Sequence, residues 1–389
     1  MYIGEIMPRW LYFLLITAIF APTIELVGGQ RQELAIFICS AISLIPLAAL
    51  IGFTTEDLAA HTGHIAGGLL NATFGNAPEI IIGIFALQEG LISVVKASIT
   101  GSIISNMLLV FGSSLALGGW RWGKQYFSAR DAGKYSAMMV LAVAAFSIPA
   151  TATLVIQDAG RIQSISIVIA VILLLIYGLY LATHIFNVHS TRRSPGQQRK
   201  LTAPLPPPSE PKEAEDESLT EAGEDKADIV VPGTRTAKPW LSALLLLIAT
   251  AATAWNSELL VGAIRPVTVQ IGWSPVFIGL VIIPIVGNAA EHSSALYIAF
   301  RDRVDLSMAI ALGSSIQVAA LVAPLLVLVS LFFPANLNLV FQPLELLVLG
   351  LGTILFAFIS LDGESSWLEG VQLVTLYTLA AVVFFFVPG

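Results

Sequence analysis

The stretch that decides the fold runs from His61 to Leu87, HTGHIAGGLLNATFGNAPEIIIGIFAL, an apolar run with a single acid, Glu79, inside it. A run of this length covers a hydrocarbon core of roughly 30 Å as a helix. There every backbone polar group must be satisfied within the segment or by buried neighbours, which favours helices over open strands. A second stretch, Ile278 to Leu296, IGLVIIPIVGNAAEHSSAL, has the same character, so GNAPE at Gly75 to Glu79 is echoed by GNAAEH at Gly287 to His292. The interval from Gly75 to the Gly101-Ser102 pair equals the interval from Gly287 to the Gly313-Ser314 pair. Agreement in both composition and offset marks an internal repeat.

Outward from these motifs the chain remains apolar. Of 389 residues, 56% are hydrophobic and only 12% charged, whereas soluble domains are about one quarter charged. This excludes an ordinary soluble enzyme and a nucleic-acid binder. Apolar runs are expected to span at 10–28, 33–54, 61–88, 93–118, 135–157, 162–187, 239–263, 272–300, 306–332, 338–360 and 367–388. The first is kept as a helix rather than a signal peptide, because it lacks a clear small-residue cleavage site and more spans follow at once. The expected architecture is an all-α polytopic membrane protein of eleven helices. An extra helix (1–32) precedes a five-helix unit (33–187), an acidic linker (188–238) and a second five-helix unit (239–389). An odd number of spans per unit makes the second copy enter the membrane from the opposite side. Inverted repeats with interrupted helices are how many secondary transporters build a midplane site.

The linker, rich in Pro and charge, is expected to be disordered. It holds nine of the 26 acids between Glu210 and Asp228, so the net charge of -7 says little about partners. A regulatory cation sensor there stays open beside a plain solvated linker. The single cysteine, Cys39, offers neither an intramolecular disulfide nor a cysteine metal cluster. With the amino terminus inside, fifteen of the 19 basic residues fall on the inner side, leaving Arg31, Lys96, Arg161 and Arg265 outside. That is the cytoplasmic bias expected of membrane proteins, with the carboxyl terminus outside.

Glu79 and Glu291 lie near the centres of their spans, where an ionisable group costs on the order of 3 kcal/mol and is functional by default. Protonated carboxyls bonding across helices are the structural alternative. Asn76 shares a helix face with Glu79, and Asn288 with Glu291; the same spacing joins Ser102 to Ser105 and Ser314 to Gln317. Helix-helix hydrogen bonding in lipid is the other reading of these amides and hydroxyls. Pro78 and Pro284 cannot donate to the carbonyls four residues back, which frees backbone oxygens near each carboxylate. Two carboxylates, neutral side-chain oxygens and loose carbonyls form an all-oxygen set suited to a hard cation, Ca²⁺ above all. His64 and His292 could sense pH or relay protons, and His61 lies close by; packing is an equal alternative. Glu258 has no acidic counterpart in the first unit and stays open between an access-path and an interface role.

These stretches, with GSIISN at Gly101 to Asn106 and GSSIQ at Gly313 to Gln317, resemble the cation/proton exchanger family, the Ca²⁺/H⁺ antiporters of the calcium/cation antiporter superfamily. The resemblance covers nearly the whole chain. It implies that Glu79 and Glu291 bind Ca²⁺ and protons in turn, assisted by Asn76, Asn288, Ser102, Ser314 and Gln317. It implies no cofactor and no catalysis, the transported Ca²⁺ and H⁺ and the lipid bilayer being the partners. The short segment before the first span departs from plant vacuolar members. It leans towards a prokaryotic cytoplasmic membrane, with a vacuolar membrane as the alternative. Na⁺/Ca²⁺ exchange, monovalent cation/H⁺ exchange and a cation channel share the chemistry. An intramembrane hydrolase is the remote alternative, since neither a nucleophile triad nor an HExxH motif is present.

Overall fold

The computed structural model describes residues 14–27, 32–186 and 238–387, with the side chains of residues 64, 65 and 184–186 outside the described set. The expected disorder of the linker, and the first residues of the first span, fall outside it too. In chain order the helices are α1 (Thr17–Val27), α2 (Glu33–Phe74), α3 (Ala77–Gln88), α4 (Ile92–Trp122), α5 (Ala129–Ala152) and α6 (Ala159–Phe186). After the linker come α7 (Pro239–Ile271), α8 (Pro275–Gly287), α9 (Ala289–Ala299), α10 (Val304–Ser330), α11 (Pro343–Ile359) and α12 (Trp367–Phe386). Among the described residues seven helices are long and apolar enough to cross a membrane, or nine when each of two bent pairs counts as one span. Two shorter apolar helices, α1 and α11, add to these.

The expected boundary between the second and third spans is corrected. The chain does not leave the helix after residue 54. It stays helical through TTEDLAAHT, which holds neither Gly nor Pro, and turns only at Gly63, whose φ of 78° suits glycine. The first half of the third span thereby shrinks to Ala66–Phe74. Likewise α7 runs past the expected 263 through Pro266 to Ile271, where Gly272 closes it in the left-handed conformation.

Helices α4 and α10 are the most enclosed spans, while α5, α6 and α12 turn most of their surface outward. Side chains such as Ile103, Met107, Phe111, Leu312, Ile316, Leu349 and Phe356 fill the core. Close crossings rest on small residues, as is usual between membrane helices. A β-carbon on Gly279 would stand 2.8 Å from the Val94 carbonyl oxygen, and one on Gly112 would stand 3.0 Å from that of Gly370, so α8 and α12 each lie backbone to backbone against α4. Wide π-helical turns interrupt α4 at Ser105–Val110, α8 at Ile278–Ile282 and α10 at Val318–Val322.

The loops gather at two ends. At the linker end, where α6 finishes and α7 begins, strand β1 (Gln125–Tyr126) pairs antiparallel with β2 (Glu364–Ser365). Lys124 Nζ lies 2.6 Å from Glu364 Oε1, and Trp122 Nε1 donates to the Phe300 carbonyl at 3.1 Å. At the opposite end Arg265 donates to the Glu89 carbonyl at 2.7 Å and Gln163 to that of Leu337 at 3.0 Å.

Candidate cation site

Both glutamates stand at a break in a helix. The backbone leaves the helical path at Asn76 (φ -108°, ψ 18°) and at Asn288 (φ -96°, ψ 16°), the same conformation in both motifs. The flanking helices bend there by 46° and 61°. Each asparagine caps the helix that follows, so Glu79 and Glu291 occupy the first turns of α3 and α9. A first turn carries free N–H groups and the positive end of the helix dipole, which favours a carboxylate. Two helix starts, each with one carboxyl, thus point into the interior.

The two motifs meet. A β-carbon on Gly287 would stand 3.7 Å from Glu79 Oε1, so the Glu79 carboxyl abuts the break of the other span. Both Glu79 oxygens are buried without a hydrogen-bond partner among the described residues. Buried carboxyl oxygens lacking partners are expensive. A cation, or a proton, supplies what the chain does not.

Neutral groups surround the pair. Asn76 Nδ2 donates to Gln317 Oε1 at 2.6 Å and to the Ala72 carbonyl at 3.1 Å. Asn288 Nδ2 donates to Ser102 Oγ at 3.1 Å and to the Pro284 carbonyl at 3.1 Å. With their nitrogens engaged, the asparagines present oxygens, and Asn288 Oδ1 is buried without a partner. Ser314 Oγ accepts from Asn106 Nδ2 at 3.0 Å. The structure therefore brings Asn76, Asn288, Ser102, Ser314 and Gln317 together around Glu79 and Glu291. Among the described residues no three of His, Cys, Asp and Glu cluster, so oxygen donors from carboxylates, amides and hydroxyls dominate.

Asn106 was not among the expected ligands, although it lies one helical turn after Ser102. It is buried, holds Ser314 through its nitrogen and reaches His292 Nε2 through its oxygen at 3.1 Å. His292 is thus tied into the site by Asn106. The His64 side chain lies outside the described residues, and the His61 ring reaches the Asp57 carbonyl at 2.8 Å in an exposed position. Glu258 is exposed on α7. The backbone of Leu280, whose carbonyl Pro284 frees, packs against Gly101.

The two halves of each bent span are unequal. The opposite-end halves are enclosed, with Ile82, Gly83, Ala86 and Leu87 of α3 and Val276, Ile278, Gly279 and Leu280 of α8 all buried. The linker-end halves are open and more polar, with Leu69, Asn71 and Thr73 of α2 and Ser293, Ser294 and Tyr297 of α9 exposed. The glycines repeat the contrast. A β-carbon on Gly101 would stand 2.6 Å from Leu280 Cα, whereas one on Gly313 would meet nothing within 4 Å. The opposite-end halves of the two bent spans are thus packed more tightly than the linker-end halves.

Two bent spans whose breaks place paired carboxyls at the core of an apolar helical bundle define a polytopic ion-carrying membrane protein. The chain belongs to the sodium/calcium exchanger protein family, whose model matches residues 33–186 and 241–386. It is 40% identical over 364 residues to the Ca²⁺/H⁺ antiporter of Synechocystis sp., covering 92% of each chain. It is 38% identical to the Ca²⁺/H⁺ antiporter of Aphanothece halophytica, covering 92% of this chain and 91% of that one. The crystal structure of selenium-substituted Ca²⁺/H⁺ antiporter protein YfkE superposes with a TM-score of 0.77 at 34% identity, covering 98% of this chain and 100% of that one.

Proposed function

We propose that this chain exchanges Ca²⁺ for H⁺ across a membrane by alternating access, removing Ca²⁺ from the cytoplasm. The observation that carries the reading is Glu79, whose two carboxyl oxygens lie buried and unpartnered against the break of the second bent span. Two ionised carboxylates neutralise one Ca²⁺, and Asn76, Asn288, Ser102, Ser314 and Gln317 complete the oxygen shell a hard cation takes. Once the cation leaves, two carboxylates in a poorly solvated site repel each other and collect protons instead. An empty, doubly charged site is costly inside a membrane. The protein therefore changes face only when loaded with Ca²⁺ or with protons, which couples the two fluxes. Asn106 and His292 position Ser314 and the start of α9 around the cargo.

The long helices, the two bent pairs and the two shorter apolar helices together support eleven spans, arranged as one extra helix and two inverted five-helix units. The two matched segments of the family model fit that division. Arg121 in the last turn of α4, and Lys124, Arg301 and Arg303 in linker-end loops, support a cytoplasmic linker end. On that orientation the present conformation faces the cytoplasm, the amino terminus lies inside and the carboxyl terminus outside. A prokaryotic cytoplasmic membrane is the proposed location.

The test is ⁴⁵Ca²⁺ uptake into everted vesicles with a pH dye in the same sample. Uptake by the wild type should dissipate an imposed proton gradient and stop with a protonophore. Glu79→Gln or Glu291→Gln keeps size but removes a titrating charge, and each should abolish coupled uptake in correctly inserted protein. Near-normal coupled exchange in either variant would remove the shared-site mechanism.

A further inference from the structure

A third interior carboxyl lies on the opposite-end side. Glu345 sits in the first turn of α11 with 1% of its surface exposed, and its Oε2 has no hydrogen-bond partner among the described residues. Lys96 lies on the stretch of α4 that packs against α11. Yet Lys96 is committed elsewhere. Its Nζ donates to Asn338 Oδ1 and to the Val340 carbonyl, both at 2.6 Å, and the described ion pairs do not include it with Glu345. A lysine thus anchors the segment before α11 through neutral oxygens while a carboxyl beside it keeps an unmatched oxygen.

This arrangement has no counterpart at the open end. At the repeat interval Lys96, Thr100 and Glu345 correspond to Met308, Leu312 and Gly133, none of them titratable. A brace required by the fold of each unit would have been repeated. The cluster shares α4 with the cation site: Thr100 lies two residues before Ser102, whose Oγ accepts from Asn288. From Lys96 to Ser102 the rise along α4 is about 9 Å.

We propose that Glu345 is a third proton-carrying carboxyl of the transport cycle, relaying protons between the opposite-end side and the Glu79–Glu291 pair under the control of Lys96. The proposal rests on the Ca²⁺/H⁺ reading above and extends it. With Lys96 held by Asn338 and Val340, an ionised Glu345 would be a buried charge with an unmatched oxygen, so it carries a proton. Opening the opposite end displaces the 331–342 segment and frees the ammonium. Lys96 then turns to Glu345 and forms the ion pair. The released proton passes to Glu79 or Glu291 through the water that the opening admits, as Ca²⁺ departs. On reclosing, Lys96 returns to Asn338 and Val340, and Glu345 takes a proton from the water of that side, which restores the starting state.

The experiment compares two transport modes of the full chain in proteoliposomes. Ca²⁺/Ca²⁺ exchange, followed with ⁴⁵Ca²⁺ at symmetric pH, needs no proton movement, whereas Ca²⁺/H⁺ exchange does. Glu345→Gln should leave Ca²⁺/Ca²⁺ exchange at the wild-type rate, which also reports correct folding, and should slow Ca²⁺/H⁺ exchange by about 100-fold, the order expected for loss of a positioned proton-transfer group. Glu345→Asp should restore most of the coupled rate. Equal slowing of both modes would make Glu345 a structural brace and overturn the proposal, as would unchanged rates in both. If the wild type shows no proton coupling at all, the Ca²⁺/H⁺ reading falls and takes this relay with it. Failure confined to the Glu345→Gln comparison leaves that reading standing.

Discussion

Replacing Gly101 with alanine should disturb the seal rather than the cargo. A β-carbon at Gly101 would stand 2.6 Å from Leu280 Cα and 2.8 Å from Leu280 C, whereas carbon atoms rest at about 3.5–4.0 Å. The obstructing atoms are backbone, so no rotamer change relieves the contact, and α4 and α8 must part by about 1 Å to reach ordinary separation. Overpacking of this kind costs about 1–3 kcal/mol. The cost falls on the conformation with this crossing closed, and a movement that parts α4 from α8 relieves it. The balance between the two faces should therefore shift by roughly 5- to 140-fold, at 1.4 kcal/mol per factor of ten. The assay places a reporter at Ile82→Cys, buried in the sealed half of α3, in a Cys39→Ser background free of other cysteines. Labelling by a membrane-impermeant thiol reagent added from the opposite side should accelerate by that factor when Gly101→Ala is introduced. Gly313→Ala, where a β-carbon meets open space, is the control and should leave labelling unchanged. An unaltered labelling rate in inserted Gly101→Ala protein, accompanied only by a lower melting temperature, would mean that the crossing is packing and not a gate.

Three further outcomes are expected. Asn76→Ala or Asn288→Ala removes a neutral oxygen but leaves both titrating carboxyls, so apparent Ca²⁺ affinity should fall by roughly ten-fold, equivalent to one lost hydrogen-bond-strength contact, while proton-coupled uptake at saturating Ca²⁺ persists. Asn106→Ala frees both Ser314 and His292 and should raise the Ca²⁺ concentration for half-maximal uptake, with Asn106→Gln failing to rescue because its longer arm misplaces both contacts. Exchanging residues 195–235 for a neutral flexible segment of similar length should leave ion selectivity unchanged in competition uptake with Mn²⁺ and Na⁺; a changed order would assign the acidic run a sensing role.

The bent spans were legible because an acid within an apolar run is too costly to be kept without a use, and because the asparagine, glycine and glutamate recur at one interval. A helix break beside each glutamate followed from the glycines and prolines of the same motifs. Other features were hidden for physical reasons. TTEDLAAHT reads as a polar loop between two spans, yet it holds neither Gly nor Pro, and Asp57 within it accepts from Ser242 of α7 as α2 runs on to Gly63. Asn106 falls where α4 widens into a π-helical turn, so its contacts do not follow from a regular helical count. Lys96 counted only as one of a few outer basic residues until the loop it anchors was in place. The difference between the open and sealed halves could not be read from two nearly matching motifs, because it resides in which helices touch.

The paired strands at Gln125–Tyr126 and Glu364–Ser365, with Lys124 bonded to Glu364 and the Gly112–Gly370 crossing just above, have a mechanical consequence. They rivet the second half of α4 to α12 over more than two turns, so a motion that parts these two helices must break several contacts at once. Because the Gly101–Leu280 contact lies on the other half of α4, the same helix serves as frame at one end and as doorpost at the other. The π-helical turn at Ser105–Val110 lies between those two halves, where the backbone departs from the regular α-helical pattern.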